Sequence, residues 1–145
     1  MNMIIRCLFI LTMLSFSIAS SPNDICFFRV YIINGIEDNI PVHVSIKGKI
    51  DLGGHTVDIG NHTLASGQEF DWKFGVVIGT YYSGEFLWGP KHATISVFNT
   101  FVFNTCFDLN IFAVQRCYWM VKPEGFYINI YNDKFPVGWK LAHSW

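Results

Sequence analysis

Five histidines (His43, His55, His62, His92 and His143) and the carboxylates Glu69 and Asp71 are the residues of this 145-residue chain best suited to metal binding or proton transfer. One strand or helix presents a ready pair of metal ligands when two histidines stand two or four residues apart, and none of these do. Glu69 and Asp71 share one face of a strand, an arrangement in which two carboxylates can divide acid and base roles. Lys73 continues that face, however, as on a strand facing solvent. The chain has no glycine-flanked serine elbow, no phosphate-cradling glycine loop and no Cys-x-x-Cys pair. The expectation is a protein that is not an enzyme and needs no metal or cofactor. One modification signal does stand out: Asn61-His62-Thr63 is an N-glycosylation sequon, in a stretch that reads as turn-like.

That sequon matters only on an exported chain, and residues 1–19 read as a secretory leader. Arg6 supplies its positive end, Cys7 to Met13 its apolar core, and Ser17-Ile18-Ala19 its small-x-small ending, which places cleavage after Ala19. No later stretch reaches 18 apolar residues without a charge, so the rest is expected to be secreted, extracellular and not membrane-embedded. Without Arg6, nine basic residues face eleven acidic ones and no basic run occurs. That balance argues against a nucleic-acid partner and against a polybasic membrane patch. Cys7 leaves with the leader, so Cys26, Cys106 and Cys117 remain, and three single bridges are open. A monomer is expected. If Cys26 is the spare, it is either a thiol buried in its strand or half of a disulfide-linked dimer.

The elements that position these residues alternate with a period of two. Val42, Val44 and Ile46 alternate with His43, Ser45 and Lys47, and Phe70, Trp72 and Phe74 alternate with Glu69, Asp71 and Lys73. Such segments are half-buried strands, which places Trp72 and Phe74 in the core. Val30–Asn34, Thr80–Trp88, Thr94–Phe98, Tyr118–Lys122 and Phe126–Tyr131 are read as strands too, being rich in β-branched and aromatic residues. Turn residues punctuate them: Asn34-Gly35, Gly53-Gly54, Ser66-Gly67, Gly89-Pro90 and Pro123-Glu124-Gly125. The pattern predicts an all-β fold, an antiparallel β-sandwich of about seven to nine short strands, as a single domain over residues 20–145. Asn99–Arg116 has no clear assignment: Phe101-Val102-Phe103 could continue a strand, and Phe107–Ala113 a strand or a helical turn.

Taken in order, Val30-Tyr31-Ile32-Ile33-Asn34, His43-Val44-Ser45, Asp51-Leu52-Gly53, Phe70-Asp71-Trp72-Lys73-Phe74, Cys117-Tyr118-Trp119 and Gly125-Phe126-Tyr127 resemble the plant self-incompatibility S-protein homologues. These are small secreted β proteins proposed to act as ligands, and the resemblance covers about residues 28–145. Two departures mark a divergent member. Val44 and Gly84 stand where the family has its first and second cysteines, positions expected to be bonded to each other, so one bridge is read as lost. Around Asn99–Arg116 the family's short polar insert is replaced by an apolar one.

The resemblance implies that Cys106 and Cys117, similar to the family's third and fourth cysteines, are bonded, with Trp119 packed in the core near the bridge. It also implies an extracellular signalling ligand that binds a cell-surface receptor through its loops. The candidate loops are Gly35–Asn39, Lys47–His55, Gly75–Gly79, Trp88–His92 and Lys122–Glu124. Their most polar clusters are Lys47, Lys49 and Asp51, and Glu37, Asp38 and Asn39. The competing reading is a lectin-like apoplastic module in which exposed Tyr81, Trp88, Trp139 and Trp145 stack on sugar rings.

Overall fold

Alternation of apolar and polar residues becomes two stacked sheets. The computed structural model describes residues 26–108 and 113–145; the expected leader, and the part of Phe107–Ala113 between Asp108 and Ala113, lie outside them. Among the described residues the strands are β1 (Cys26–Asn34), β2 (Val42–Lys49), β3 (Thr56–Leu64), β4 (Glu69–Val76), β5 (Tyr81–Trp88), β6 (Lys91–Phe98), β7 (Gln115–Lys122), β8 (Gly125–Asn129) and β9 (Lys140–His143), with one helix, α1 (Thr100–Cys106), after β6. One sheet has the order β4-β1-β7-β8-β9 and the other β3-β2-β5-β6. Every neighbouring pair is antiparallel except β1 and β7, which run parallel. The expected sandwich is therefore present, with nine strands and one parallel seam. That seam follows from the β6–β7 connection, which crosses from one sheet to the other through α1.

Inward residues of the central strands fill the space between the sheets. Phe28, Val30 and Ile32 of β1 belong to one core cluster with Val42, Val44 and Ile46 of β2, Phe86 of β5 and Trp119 and Val121 of β7. Trp119 is fully buried and its Nε1–H donates to Val97 O at 3.0 Å, so its one polar group is satisfied across the sheets. Trp72 is also buried, 8% exposed, while Phe70 and Phe74 are half-buried beside it on the edge strand. Phe70, Trp72 and Phe74 form a run of stacked rings at 5.7 and 6.1 Å. The Trp72 indole N–H meets no acceptor among the described residues.

Asn34 ties the sheets together at the end where β1 finishes. It is fully buried. Its Nδ2 donates to Leu64 O of the opposite sheet at 2.9 Å, and its Oδ1 accepts from Ile36 N at 3.0 Å. Its backbone N–H donates to Gln68 O and its carbonyl accepts from Gly67 N. One side chain thus fixes the ends of β1 and β3 and the loops after both.

Several expectations are corrected. Phe101-Val102-Phe103 is helical, because Asn99 caps α1 by accepting from Val102 N at 3.0 Å. The sequon Asn61 lies in β3 and not in a turn; the polar composition of this strand and a register shift opposite Gly60, at φ +101°, hide its alternation. Lys47 and Lys49 lie in β2, not in a loop. Val44 and Gly84 do fall on neighbouring strands, but the register pairs Val44 with Phe86 and Gly84 with Ile46. Cys106 and Cys117 are bonded, with Cα atoms 5.4 Å apart, and the bridge pins the end of α1 to β7. Closing so short a loop contributes about 3 kcal/mol in the chain-entropy model. Cys26 opens β1, buried, and is not a free thiol.

Two stability series test this frame. Asn34→Ala leaves Leu64 O and Ile36 N without their partner, and chemical unfolding is expected to show a loss of about 2–4 kcal/mol; wild-type stability would remove Asn34 from its role as a tie. Trp72→Ala opens a cavity and is expected to lose about 3–5 kcal/mol. Trp72→Phe keeps most of the ring and discards an N–H that has no acceptor, so its loss should stay under about 1.5 kcal/mol. Equal losses for the two variants would show that the indole N–H is bonded.

Candidate functional site

The local sequence after Asn34 folds by side-chain capture of backbone groups. Asn34 Oδ1 takes the N–H two residues on, and Asp38 Oδ1 takes the Ile40 N–H at 2.9 Å, so two successive Asx turns shape the β1–β2 loop. Ile36 is buried between them and anchors the loop to the core. The second Asp38 oxygen accepts from Trp88 Nε1 at 3.2 Å, which holds this loop against the end of β5. Trp88 is half-buried, with Trp145 at 5.8 Å and the Lys91 ammonium 5.4 Å from its ring centroid.

Lys91 also joins the sheets, by donating to Pro123 O of the β7–β8 turn at 2.9 Å. That turn requires glycine. Gly125 sits at φ +153°, and a Cβ there would stand 2.1 Å from His143 O, so β9 approaches as closely as it does because position 125 has no side chain. Trp145 Nε1 donates to Lys122 O at 2.8 Å and closes the C-terminus over the same turn. Glu124 accepts from the Tyr127 hydroxyl at 2.9 Å. Lys122 extends over Phe135, 4.6 Å from the ring centroid, and Phe135 packs edge-on against Tyr127 at 5.1 Å.

Between these walls lies a groove of about 450 Å³ lined by Gly35–Asp38, Trp88, Lys122–Glu124 and Phe135. Two aromatic rings, Trp88 and Phe135, and four charged residues, Glu37, Asp38, Lys122 and Glu124, line it. Asp38 and Glu124 already accept hydrogen bonds from their neighbours, and Glu37 is exposed at the rim with no bond among the described residues.

The predicted recognition residues divide between the two ends of the sandwich. Glu37 and Asp38 line the groove, and Asn39 is exposed next to them. Lys49 and Asp51 lie at the opposite end of β2, and Lys47 faces outward in that strand, in register with Asp58 and Ser83. Asp51 there holds His55: its Oδ2 meets His55 Nδ1 at 2.6 Å, and its Oδ1 accepts the His55 N–H at 3.2 Å. The hydrogen bond from the His55 ring, ahead of any other effect, keeps the Asp51 carboxyl below its ordinary value. Phe135, in the groove lining, and Tyr127, packed behind it, are not among the residues expected from sequence, and Trp145 is expected there only as a sugar-stacking ring. The turn-rich run Asn132–Gly138 was the available signal for Phe135, and a C-terminal tryptophan carries no period.

Of the four rings expected to be exposed for sugar stacking, one is buried, two are half-buried and one is exposed. Trp139 is buried and donates to Asp133 O at 2.9 Å, while Trp88 and Trp145 pack on each other and have bonded N–H groups. Tyr81 is exposed, with its hydroxyl 2.9 Å from Ser96 Oγ. Among the described residues no group of histidine, cysteine and carboxylate side chains is placed to hold a metal ion. Nor is any helix there long and apolar enough to cross a membrane.

The Glu124 bond has a titratable signature. Donation to Glu124 raises the Tyr127 phenol above its ordinary value of 10.0, because the bond is lost with the proton. What this bond adds to stability is present below pH 10 and disappears as pH rises through the raised value. Glu124→Gln is expected to move the Tyr127 midpoint down in an ultraviolet phenolate titration; an unmoved midpoint would show that the groove wall is not held this way.

A protein-family model, plant self-incompatibility protein S1, matches residues 29–145, from within β1 to Trp145, including the bridge and every wall of the groove. No individually curated protein matches the chain. By that match over most of its length, the chain belongs to the plant self-incompatibility protein S1 family.

Proposed function

We propose that this protein is an exported extracellular ligand that binds a cell-surface receptor through the groove end of its sandwich. Family membership supports a self-incompatibility-related role and a receptor-type partner. The leader-like residues 1–19 support export, with the working domain beginning at Ser20. The observation that carries the choice of surface is the groove itself. Three loops from both sheets converge on it, each held by side-chain bonds, while Glu37 is left free to meet a partner. A scaffold that fixes loops and leaves their rim charges unsatisfied is the usual design of a recognition surface. Preformed walls also lower the ordering cost of association.

The test compares the two ends. Glu37→Lys and Glu37→Lys/Glu124→Lys are expected to weaken binding of labelled protein to receptor-bearing plant cells by about tenfold or more, equal to about 1.4 kcal/mol. For Glu37→Lys, stability should stay within about 0.5 kcal/mol of wild type. Reversing Lys47, Lys49 and Asp51 at the other end should leave binding unchanged. The opposite pattern, loss at Lys47–Asp51 and none at Glu37, would transfer the recognition role to the far end.

A further inference from the structure

We propose that Asn61 carries an N-linked glycan and that this glycan guards the free edge of β3, leaving the groove open. The sequon Asn61-His62-Thr63 falls within a strand, so Asn61 and Thr63 point to the same side. The register puts Asn61 beside Ser45, at the edge of a row that continues through Glu85 and Thr94 on the outer face of the four-stranded sheet. Asn61 is exposed and its side chain has no hydrogen bond among the described residues. A glycan fits there without displacing any contact.

The edge itself supplies the second argument. β3 and β6 end the four-stranded sheet, and β4 and β9 end the other. Exposed edges template pairing with further strands, and proteins blunt them with charge, shortness or cover. β4 carries Glu69, Asp71 and Lys73, β6 carries Lys91 and His92, and β9 has four residues. β3 has nine residues and one formal charge, Asp58, whose Oδ1 is already engaged by Gly60 N at 2.8 Å. Its one built-in defence is the irregularity at Gly60, next to Asn61. A hydrated glycan at that position supplies the cover that charge does not. It stands on the edge strand, two strands away from β5, whose end forms the groove wall, so recognition and shielding occupy different sides.

In the transfer, the Asn61 amide nitrogen forms a bond to the anomeric carbon of a lipid-diphosphate-linked oligosaccharide. The bond from that carbon to the diphosphate oxygen breaks, the lipid diphosphate leaves with the electron pair, and the amide proton passes to a base. Thr63 Oγ1 is held by His43 Nδ1 at 2.9 Å in the folded sheet, so transfer belongs to the chain before β3 docks on β2.

The inference rests on export, and the experiment separates the two. The full chain is expressed in plant cells behind its own leader and, in parallel, behind a heterologous secretion leader. Intact mass of the medium fraction is read before and after enzymatic N-glycan release. Absence from the medium in the first arm alone overturns the export reading and leaves the sequon to the second arm. There, the expected result is one glycan's loss of mass on release, absent from Asn61→Gln and from Thr63→Ala; an unmodified exported chain overturns the assignment. Sedimentation velocity then tests the guard role. Wild type and Asn61→Lys, which restores a charge to the edge, should remain monomeric, while Asn61→Gln should show concentration-dependent association. A monomeric Asn61→Gln over the same range overturns the guard role, and undiminished cell binding by that variant is the expected sign that the groove lies clear of the glycan.

Discussion

The buried side chain of Asn34 is the constraint on which the groove end depends. A primary amide offers donors and an acceptor in one plane, and Asn34 uses both, one toward Leu64 of the facing sheet and one toward Ile36 of the next loop. An apolar residue of the same size could fill the space but would leave two buried backbone groups unbonded. The β1–β2 loop starts from this point, and its second Asx turn at Asp38 reaches Trp88. Remove the first tie and the second has no fixed origin. The loop geometry is thus set by a core residue and not by the loop's own charges.

From Trp88 the dependence runs back into the core through rings. Trp88 contacts Trp145, Trp145 contacts Phe126 at 4.7 Å, and Phe126 contacts Phe86 at 4.9 Å edge-on. Phe86 and Phe126 are fully buried. The wall of the groove is therefore the outer end of an aromatic file that begins between the sheets. Rings packed this way hold geometry better than flexible aliphatics. They also allow the indole N–H groups of Trp88 and Trp145 to brace the loops from inside. The N–H groups of Trp88 and Trp145 are thereby taken up within the fold, while both rings stay half-buried.

Legibility in the sequence followed local periodicity. β2 and β4 alternate without interruption, and their faces, including the inward Trp72, could be read from spacing alone. β3 could not, because its polar residues and the break at Gly60 remove the period-two signal while β2 supplies the pairing that makes it a strand. β9 is four residues long and is defined by β8 beside it. α1 depends on one cap, Asn99, and on a bridge whose second half lies in β7. The site divided in the same way. Glu37 and Asp38 were legible as a polar loop, whereas the candidate loop Lys47–His55 overlaps the end of β2, because the apolar alternation of Val42, Val44 and Ile46 gives way to Gly48. Phe135 reaches the groove, and Trp145 braces its Trp88 and Lys122 walls, through long-range packing, which no local pattern encodes.

The same packing bears on how this chain stands without the bridge implied at Val44 and Gly84 by its family resemblance. The two positions are not register partners; Gly84 opposes Ile46, and Val44 opposes Phe86. A Cβ at Gly84 would stand 2.5 Å from the Phe86 ring and 3.0 Å from Ile46 Cδ1, so these two side chains occupy the space that any side chain at 84 would need. Val44, 2% exposed, fills the other half. Apolar contact thus takes up the volume a covalent link would have used, and such contact stabilises by burial of each methylene and ring. Phe86 is also the inner end of the aromatic file that reaches Trp88. A cysteine restored at position 84 would have to displace that ring, so the geometry of the groove wall and the absence of a bridge between β2 and β5 are two consequences of the same packing arrangement.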